Sequence, residues 1–278
     1  MRKILLTLLL SASLGVSFAD NANKPTVEIL ATGGTIAGTA SSQTSTIYKA
    51  GSLTAEQLIA SVNGLSDLAN IQYAQVYNKD SGDITLNDWL HLASEVQKAA
   101  DNPKINAIVI THGTDTMEET AYFLDLVIKT NKPIILVGAM RPATSMSSDG
   151  PLNLYNAVAV AIDKQSSSRG VLVAMNEKIF DSRNVTKTNT TEAEAFQQPN
   201  GGTIGNVNMG KVSYQSIATR ANTNSTPFSV NQESKLPDVE IIYEYAGVNP
   251  QMLDHILDTK GLKGLVIAGV GDGNIPSY

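Results

Sequence analysis

Cysteine is absent from the 278 residues, which excludes disulfides, thiolate metal sites and a cysteine nucleophile. Histidine occurs only three times, as His91, His112 and His255, too few for a histidine-rich metal site. Basic residues are outnumbered by acidic ones, 20 to 26, giving a net charge of −6. An acidic chain without a basic stripe argues against nucleic acid and anionic membrane surfaces as partners. Charged residues amount to only 17%, so this is no disordered polyelectrolyte. After the first few turns of chain no apolar run is long enough to anchor in a bilayer. What remains is 42% apolar, sufficient for a sizeable core in one large or two smaller domains.

The single long apolar run is at the start. Arg2 and Lys3 precede a mostly apolar stretch from Ile4 to Val16, too short to span a membrane comfortably. Ser17-Phe18-Ala19 then offers a small-x-small cleavage site. This pattern predicts a signal peptide over residues 1–19 and a soluble, periplasmic product. A buried N-terminal helix is the alternative.

Strand and helix signals alternate through the rest. Short apolar runs predict strands at 27–30, 71–77, 105–110, 133–137 and 170–175. Between them, apolar periodicity predicts helices at 53–62, 85–100 and 116–130, and Pro151 sits well in the first turn of another that runs to about residue 164. Thr54 with Gln57, and Thr85 with Asp88, have capping-box spacing. The β-α-β-α order predicts an α/β fold with a mostly parallel, doubly wound sheet and helices on both faces, over residues 20–215. Residues 216–238 are rich in Ser, Thr, Asn, Gln and Pro and are expected to form a linker. Residues 239–278 restart the pattern as strand, helix, strand, predicting a smaller, incomplete α/β domain.

Two strands end in loops rich in hydroxyls and glycine: Ala31-Thr32-Gly33-Gly34-Thr35-Ile36-Ala37-Gly38, and Thr111-His112-Gly113-Thr114-Asp115-Thr116. Ligands in open α/β sheets bind beyond such strand ends. Glycine exposes backbone N–H groups that can hold an oxyanion, and an activated threonine can act as a nucleophile. Spacing alone does not decide the matter. The first loop lacks both G-x-G-x-x-G and the Gly-Lys-Ser/Thr of a phosphate loop. Thr114 and Asp115 could equally be an ordinary helix N-cap.

The segments ATGGTIAG (31–38) and THGTDTMEETAYFLDL (111–126) resemble the two signatures of the bacterial L-asparaginase and glutaminase-asparaginase family. VGAMRPATSMSSDGPLNLYNAV (137–158) and RNVTKTNTTEAEAF (183–196) are similar to it as well, and the likeness runs from about residue 26 to 274. The predicted secretion signal points to the exported, type II branch. The resemblance implies hydrolysis of L-asparagine, with some action on L-glutamine, and no metal or organic cofactor. It implies Thr35 as nucleophile, Tyr48 as its activator, and a second group of Thr114, Asp115 and Lys187. Ser81 and Asp115 would hold the substrate's α-carboxylate and α-ammonium. Asp272 matches a position that contributes from a neighbouring subunit, since family members are tetramers with sites at subunit interfaces.

Two departures stand out. Gly82 follows Ser81 where the family has Gln or Glu, so a head-group contact would be lost or moved to Asp80 or Asp83. Family members also continue several dozen residues past the stretch at 269–274, which leads us to expect a chain truncated at its C-terminus. The competing expectation is therefore a catalytically weak or inactive amino-acid-binding remnant of such an enzyme. A periplasmic solute-binding protein would fit export and acidity but would leave both threonine loops unexplained.

Overall fold

A computed structural model describes residues 24–277; the signal peptide expected at 1–19 lies outside the described residues. Along the chain, β1 (Thr26–Gly33) leads through the small hairpin β2 (Thr39–Ala40) and β3 (Tyr48–Lys49) to helices α1 (Ala55–Ala60) and α2 (Leu65–Leu68). Then come β4 (Asn70–Lys79), α3 (Leu86–Asp101), β5 (Ala107–Thr111), α4 (Met117–Val127), β6 (Ile134–Val137), α5 (Gly150–Ile162) and β7 (Val171–Met175). Five short strands follow: β8 (Lys178–Asp181), β9 (Thr186–Lys187), β10 (Phe196–Gln197), β11 (Gly205–Asn208) and β12 (Lys211–Tyr214). The chain then continues to β13 (Val239–Tyr243), α6 (Pro250–Leu257) and β14 (Gly264–Ala268).

The main sheet has eight strands in the order β12-β11-β8-β7-β6-β5-β1-β4. From β7 to β4 neighbouring strands are parallel. The apolar runs of β1, β5, β6 and β7 are buried on both sides, as inner parallel strands require, while the edge strand β4 is half-exposed. Register sorts the side chains. Ile29, Val109, Ile135 and Leu172 form one row across four strands, packed under α1, α2 and α5. Leu30, Ile110, Leu136 and Val173 form the opposite row, packed under α3 and α4. Each such side chain contributes roughly 1.5–3 kcal/mol by leaving water. The expected parallel sheet with helices on both faces is what forms.

Both capping boxes form: Thr54 with Gln57 starts α1, and Thr85 with Asp88 starts α3. The sequence pattern missed the antiparallel edge of β8, β11 and β12. The two-residue turns there explain why. Asn176 and Glu177 have φ of 49° and 61° between β7 and β8, and Met209 and Gly210 have 46° and 79° between β11 and β12. These hairpin turns hold both central residues at positive φ without the usual Asn-Gly or Asp-Gly sequence.

The segment after β12 is fastened to the first unit. Lys129 Nζ donates to the Thr223 and Thr226 carbonyls at 3.1 and 2.8 Å, and Thr223 is buried. In the later residues β13 and β14 pair in parallel, joined by α6. Ile241, Tyr243, Met252, Leu257 and Val266 there are all exposed.

Asp125 carries a pH-dependent part of the stability. It lies on α4, and its carboxylate accepts the Val171 N–H at 2.7 Å, tying helix to sheet. Burial pushes its pKa up from 3.8 to about 6, against the Val171 and Ser182 hydrogen bonds that lower it. A carboxyl with a raised folded-state pKa supports folding fully below its unfolded value. That support is lost as pH rises through about 6. Asp125→Asn should therefore match the parent near pH ~4 and exceed it by on the order of 1–3 kcal/mol above pH ~7. Urea unfolding at both pH values checks this; the same difference at each would contradict it.

Candidate active site

The two threonine loops meet because of two glycines. Gly33 and Gly34 end β1 with φ of 105° and 76°, a region that side chains rarely enter. A Cβ on Gly34 would sit 2.3 Å from the Gly113 Cα, so the loops touch backbone to backbone. Gly113 in turn lies against Ser81, where a Cβ would come within 2.5 Å of the hydroxyl. The loop after β1, the loop after β5 and the turn after β4 thus converge at the carboxyl ends of three adjacent parallel strands.

Thr35 opens a 3-10 turn over Thr35–Ala37 and is only 7% exposed. Its Oγ1 lies 2.7 Å from the Tyr48 hydroxyl. Tyr48 reaches it from β3, on a hairpin whose neighbouring Ile47 is 83% exposed. On the other side, Lys187 Nζ donates to Thr114 Oγ1 at 2.9 Å and to Asp115 Oδ1 at 2.5 Å. Lys187 arrives from β9, a strand of two residues. Thr116 is the N-cap of α4, so Thr114 and Asp115 are not serving as caps. Ser81 is buried, and its Oγ accepts the Asp115 N–H at 3.1 Å, which leaves its hydroxyl hydrogen free to donate.

Within the first glycine loop, the Gly34 N–H is spent on the Lys79 carbonyl at 2.9 Å. The Thr114 N–H and the Thr35 N–H make no hydrogen bond among the described residues and remain available as donors. Asp80 uses its carboxylate to accept the Gly82 N–H at 3.0 Å. A Cβ on Gly82 would meet only Asp80 Oδ1, at 3.7 Å, so a side chain fits there without strain. Asp272 lies in the exposed turn after β14 and makes no hydrogen bond to any of these residues.

A cleft of about 280 Å³ opens beside the second group, lined by Asp115, Glu118, Lys187, Thr188, Asn189 and Thr190. A larger one, about 680 Å³, lies around Tyr122, Arg169 and Arg183 and includes none of the threonine-loop residues. The smaller cleft adjoins the Lys187–Asp115 pair; Thr35, Tyr48, Ser81 and Thr114 are not among its lining residues.

The sequence also concealed a buried relay. Trp89 Nε1 donates to Thr120 Oγ1 at 2.9 Å, and Thr120 Oγ1 lies 3.0 Å from His112 Nε2. His112 Nδ1 lies 2.6 Å from the Gly113 carbonyl. Only one assignment satisfies every member: Thr120 donates to Nε2, and Nδ1–H donates to the carbonyl. Burial holds the His112 pKa down at about 4, so the ring is neutral at neutral pH. The Gly113–Thr114 peptide is thereby tied through its carbonyl to His112. Trp89, Thr120 and His112 are spread over two helices and a loop, so no local spacing could connect them.

Residues 26–220 match the family model described as "Asparaginase, N-terminal", and residues 238–278 match "Glutaminase/Asparaginase C-terminal domain". The chain belongs to the asparaginase family. Among asparaginases, it is 50% identical over 262 residues to a probable periplasmic L-asparaginase of Haemophilus influenzae, covering 94% of this chain and 74% of that one. It is 50% identical to L-asparaginase 2 of Escherichia coli, covering 90% and 71%. Against the glutaminase-asparaginase of Pseudomonas aeruginosa the identity is 43%, covering 98% and 75%. The crystal structure of a probable cytoplasmic L-asparaginase from Campylobacter jejuni superposes with a TM-score of 0.88 at 44% identity, covering 91% of this chain and 78% of that one.

In this asparaginase the β2–β3 hairpin is the part suited to move. Residues 41–49 are mostly exposed, and beyond the β2–β3 pairing the segment joins the rest of the chain mainly through the Thr35–Tyr48 contact and the Met146 N–H bond to the Gln43 carbonyl. Limited proteolysis should cut there first, and L-aspartate should slow the cut by closing the hairpin over Thr35. Equal cutting with and without L-aspartate would remove the lid.

Proposed function

We propose that this chain hydrolyses L-asparagine to L-aspartate and ammonia through Thr35, with L-glutamine as a second substrate. The observation that supports this reading is the pair of hydrogen-bonded threonines, Thr35 with Tyr48 and Thr114 with Lys187, in loops that touch at Gly34 and Gly113. Thr35 Oγ attacks the side-chain amide carbon while its proton passes to the Tyr48 oxygen and the Tyr48 hydroxyl gives up its own proton in relay. Charge on the carbonyl oxygen is met by the Thr114 N–H, held in place through His112. The proton goes to the departing nitrogen, ammonia leaves, and an ester to Thr35 remains. Water then cleaves the ester, restoring the hydroxyl. Lys187 favours negative charge at Thr114 Oγ1 and so supports removal of a proton from substrate or water. Ser81 binds the α-carboxylate and Asp115 the α-ammonium. The atoms balance without a cofactor.

The names of the H. influenzae and P. aeruginosa relatives support, respectively, the asparagine and glutamine reactions. The signal pattern at 1–19 and the former name support a periplasmic location. A homotetramer with Asp272 reaching a neighbouring site would explain why that residue stands apart within one chain. Ammonia release by the purified chain, first with L-asparagine and then L-glutamine, tests the reading. A second reading, binding without turnover, is favoured by the isolation of Asp272 and the empty space at Gly82. Calorimetric binding of L-aspartate with no ammonia from either amide would select it.

A further inference from the structure

We propose that Glu118 is a positioning residue that sets the place of Lys187, a deepening that rests on the reading of Lys187 given above. Lys187 faces a mechanical problem. It sits on β9, two residues long and outside the main sheet, whose ladder partner is the equally short β10. Such a short pair holds its own position poorly. Yet the lysine must present its ammonium to Thr114 Oγ1 within a fraction of an ångström for the charge to act there.

Glu118 supplies the missing attachment. Its Oε2 accepts the backbone N–H of Lys187 at 2.5 Å, and its Oε1 accepts the Thr186 hydroxyl at 3.1 Å. Both carboxylate oxygens are thus committed to the two residues of β9. Glu118 stands in the first turn of α4, just past Thr114 and Asp115. A single stretch of five residues therefore grips Lys187 at both ends: Thr114 and Asp115 at Nζ, Glu118 at the backbone nitrogen. An acid in a first helical turn would suit the helix dipole in any case. The dipole does not explain bonds to a strand 68 and 69 residues further along the chain.

The geometry also dictates which substitutions matter. Both donors, a backbone N–H and a hydroxyl, need acceptors. Glutamine keeps one oxygen for the Lys187 N–H, and the Thr186 hydroxyl can turn to accept from the amide. Alanine removes both anchors and leaves the β9 backbone to β10 and to Val185 in the core, with Lys187 held otherwise only through Nζ.

The test has two readouts on the intact chain. In ammonia release from L-asparagine, Glu118→Ala should lower kcat by roughly 10²-fold with KM within about twofold, the cost of an ångström-scale misplacement. Glu118→Gln should recover most of that loss. In hydrogen exchange, the Lys187 amide should be protected in the parent and in Glu118→Gln. In Glu118→Ala it should exchange freely, with the core strands unchanged. Parent-like turnover in Glu118→Ala, no recovery in a folded Glu118→Gln, a loss confined to KM, or an unprotected Lys187 amide in the parent would each overturn the proposal. Absence of ammonia from the parent would sink the hydrolase reading instead. The exchange pattern would then decide the Glu118 clamp by itself.

Discussion

Thr35→Ala should abolish ammonia release, by roughly 10⁴-fold or more, while L-aspartate binds as in the parent. The size of the effect follows from the role. Removing the proposed nucleophile deletes a bond formed only during reaction, whereas the proposed ground-state contacts at Ser81 and Asp115 remain. The fold should barely notice. Thr35 makes one side-chain hydrogen bond, to a Tyr48 that is itself 38% exposed, so the melting temperature should stay within a few degrees of the parent's. Turnover within about tenfold of the parent would move the nucleophile elsewhere.

Lys187→Met comes second, with an expected fall in kcat of roughly 10³-fold. Its contact to Thr114 Oγ1 is partly buried, where a charge acts strongly. Its ion pair with Asp115 contributes little to stability, because the Asp115 side chain is 61% exposed and solvent screens it. The backbone bond to Glu118 does not involve the side chain and should survive. The variant should therefore fold like the parent and fail at chemistry. A matched loss of thermal stability with little loss of kcat would show Lys187 to be a structural residue.

Legibility in the sequence followed the range of the interactions. Parallel strands announced themselves through β-branched runs such as Ala107–Thr111, and helices through local caps at Thr54 and Thr85, because both signals span a few neighbouring residues. Strands β8, β11 and β12 did not, since their turns reach positive φ with Asn-Glu and Met-Gly. The site residues came from resemblance to a family rather than from spacing. Thr35 and Tyr48 are 13 positions apart, and Thr114 and Lys187 are 73 apart, so no periodicity links them. The residues that steady the site were the hardest to find. Neither Glu118 nor the Trp89–Thr120–His112 chain is marked by any local pattern. Their roles exist only once α3, α4, β5 and β9 are folded together.

The central claim is a covalent ester on Thr35, and intact mass measurement of chain quenched during turnover of L-asparagine tests it most directly. The account predicts an aspartyl adduct that maps, after digestion, to the peptide carrying Thr35, and that is absent from Thr35→Ala. An adduct on the peptide carrying Thr114, or one that persists in Thr35→Ala, would contradict it.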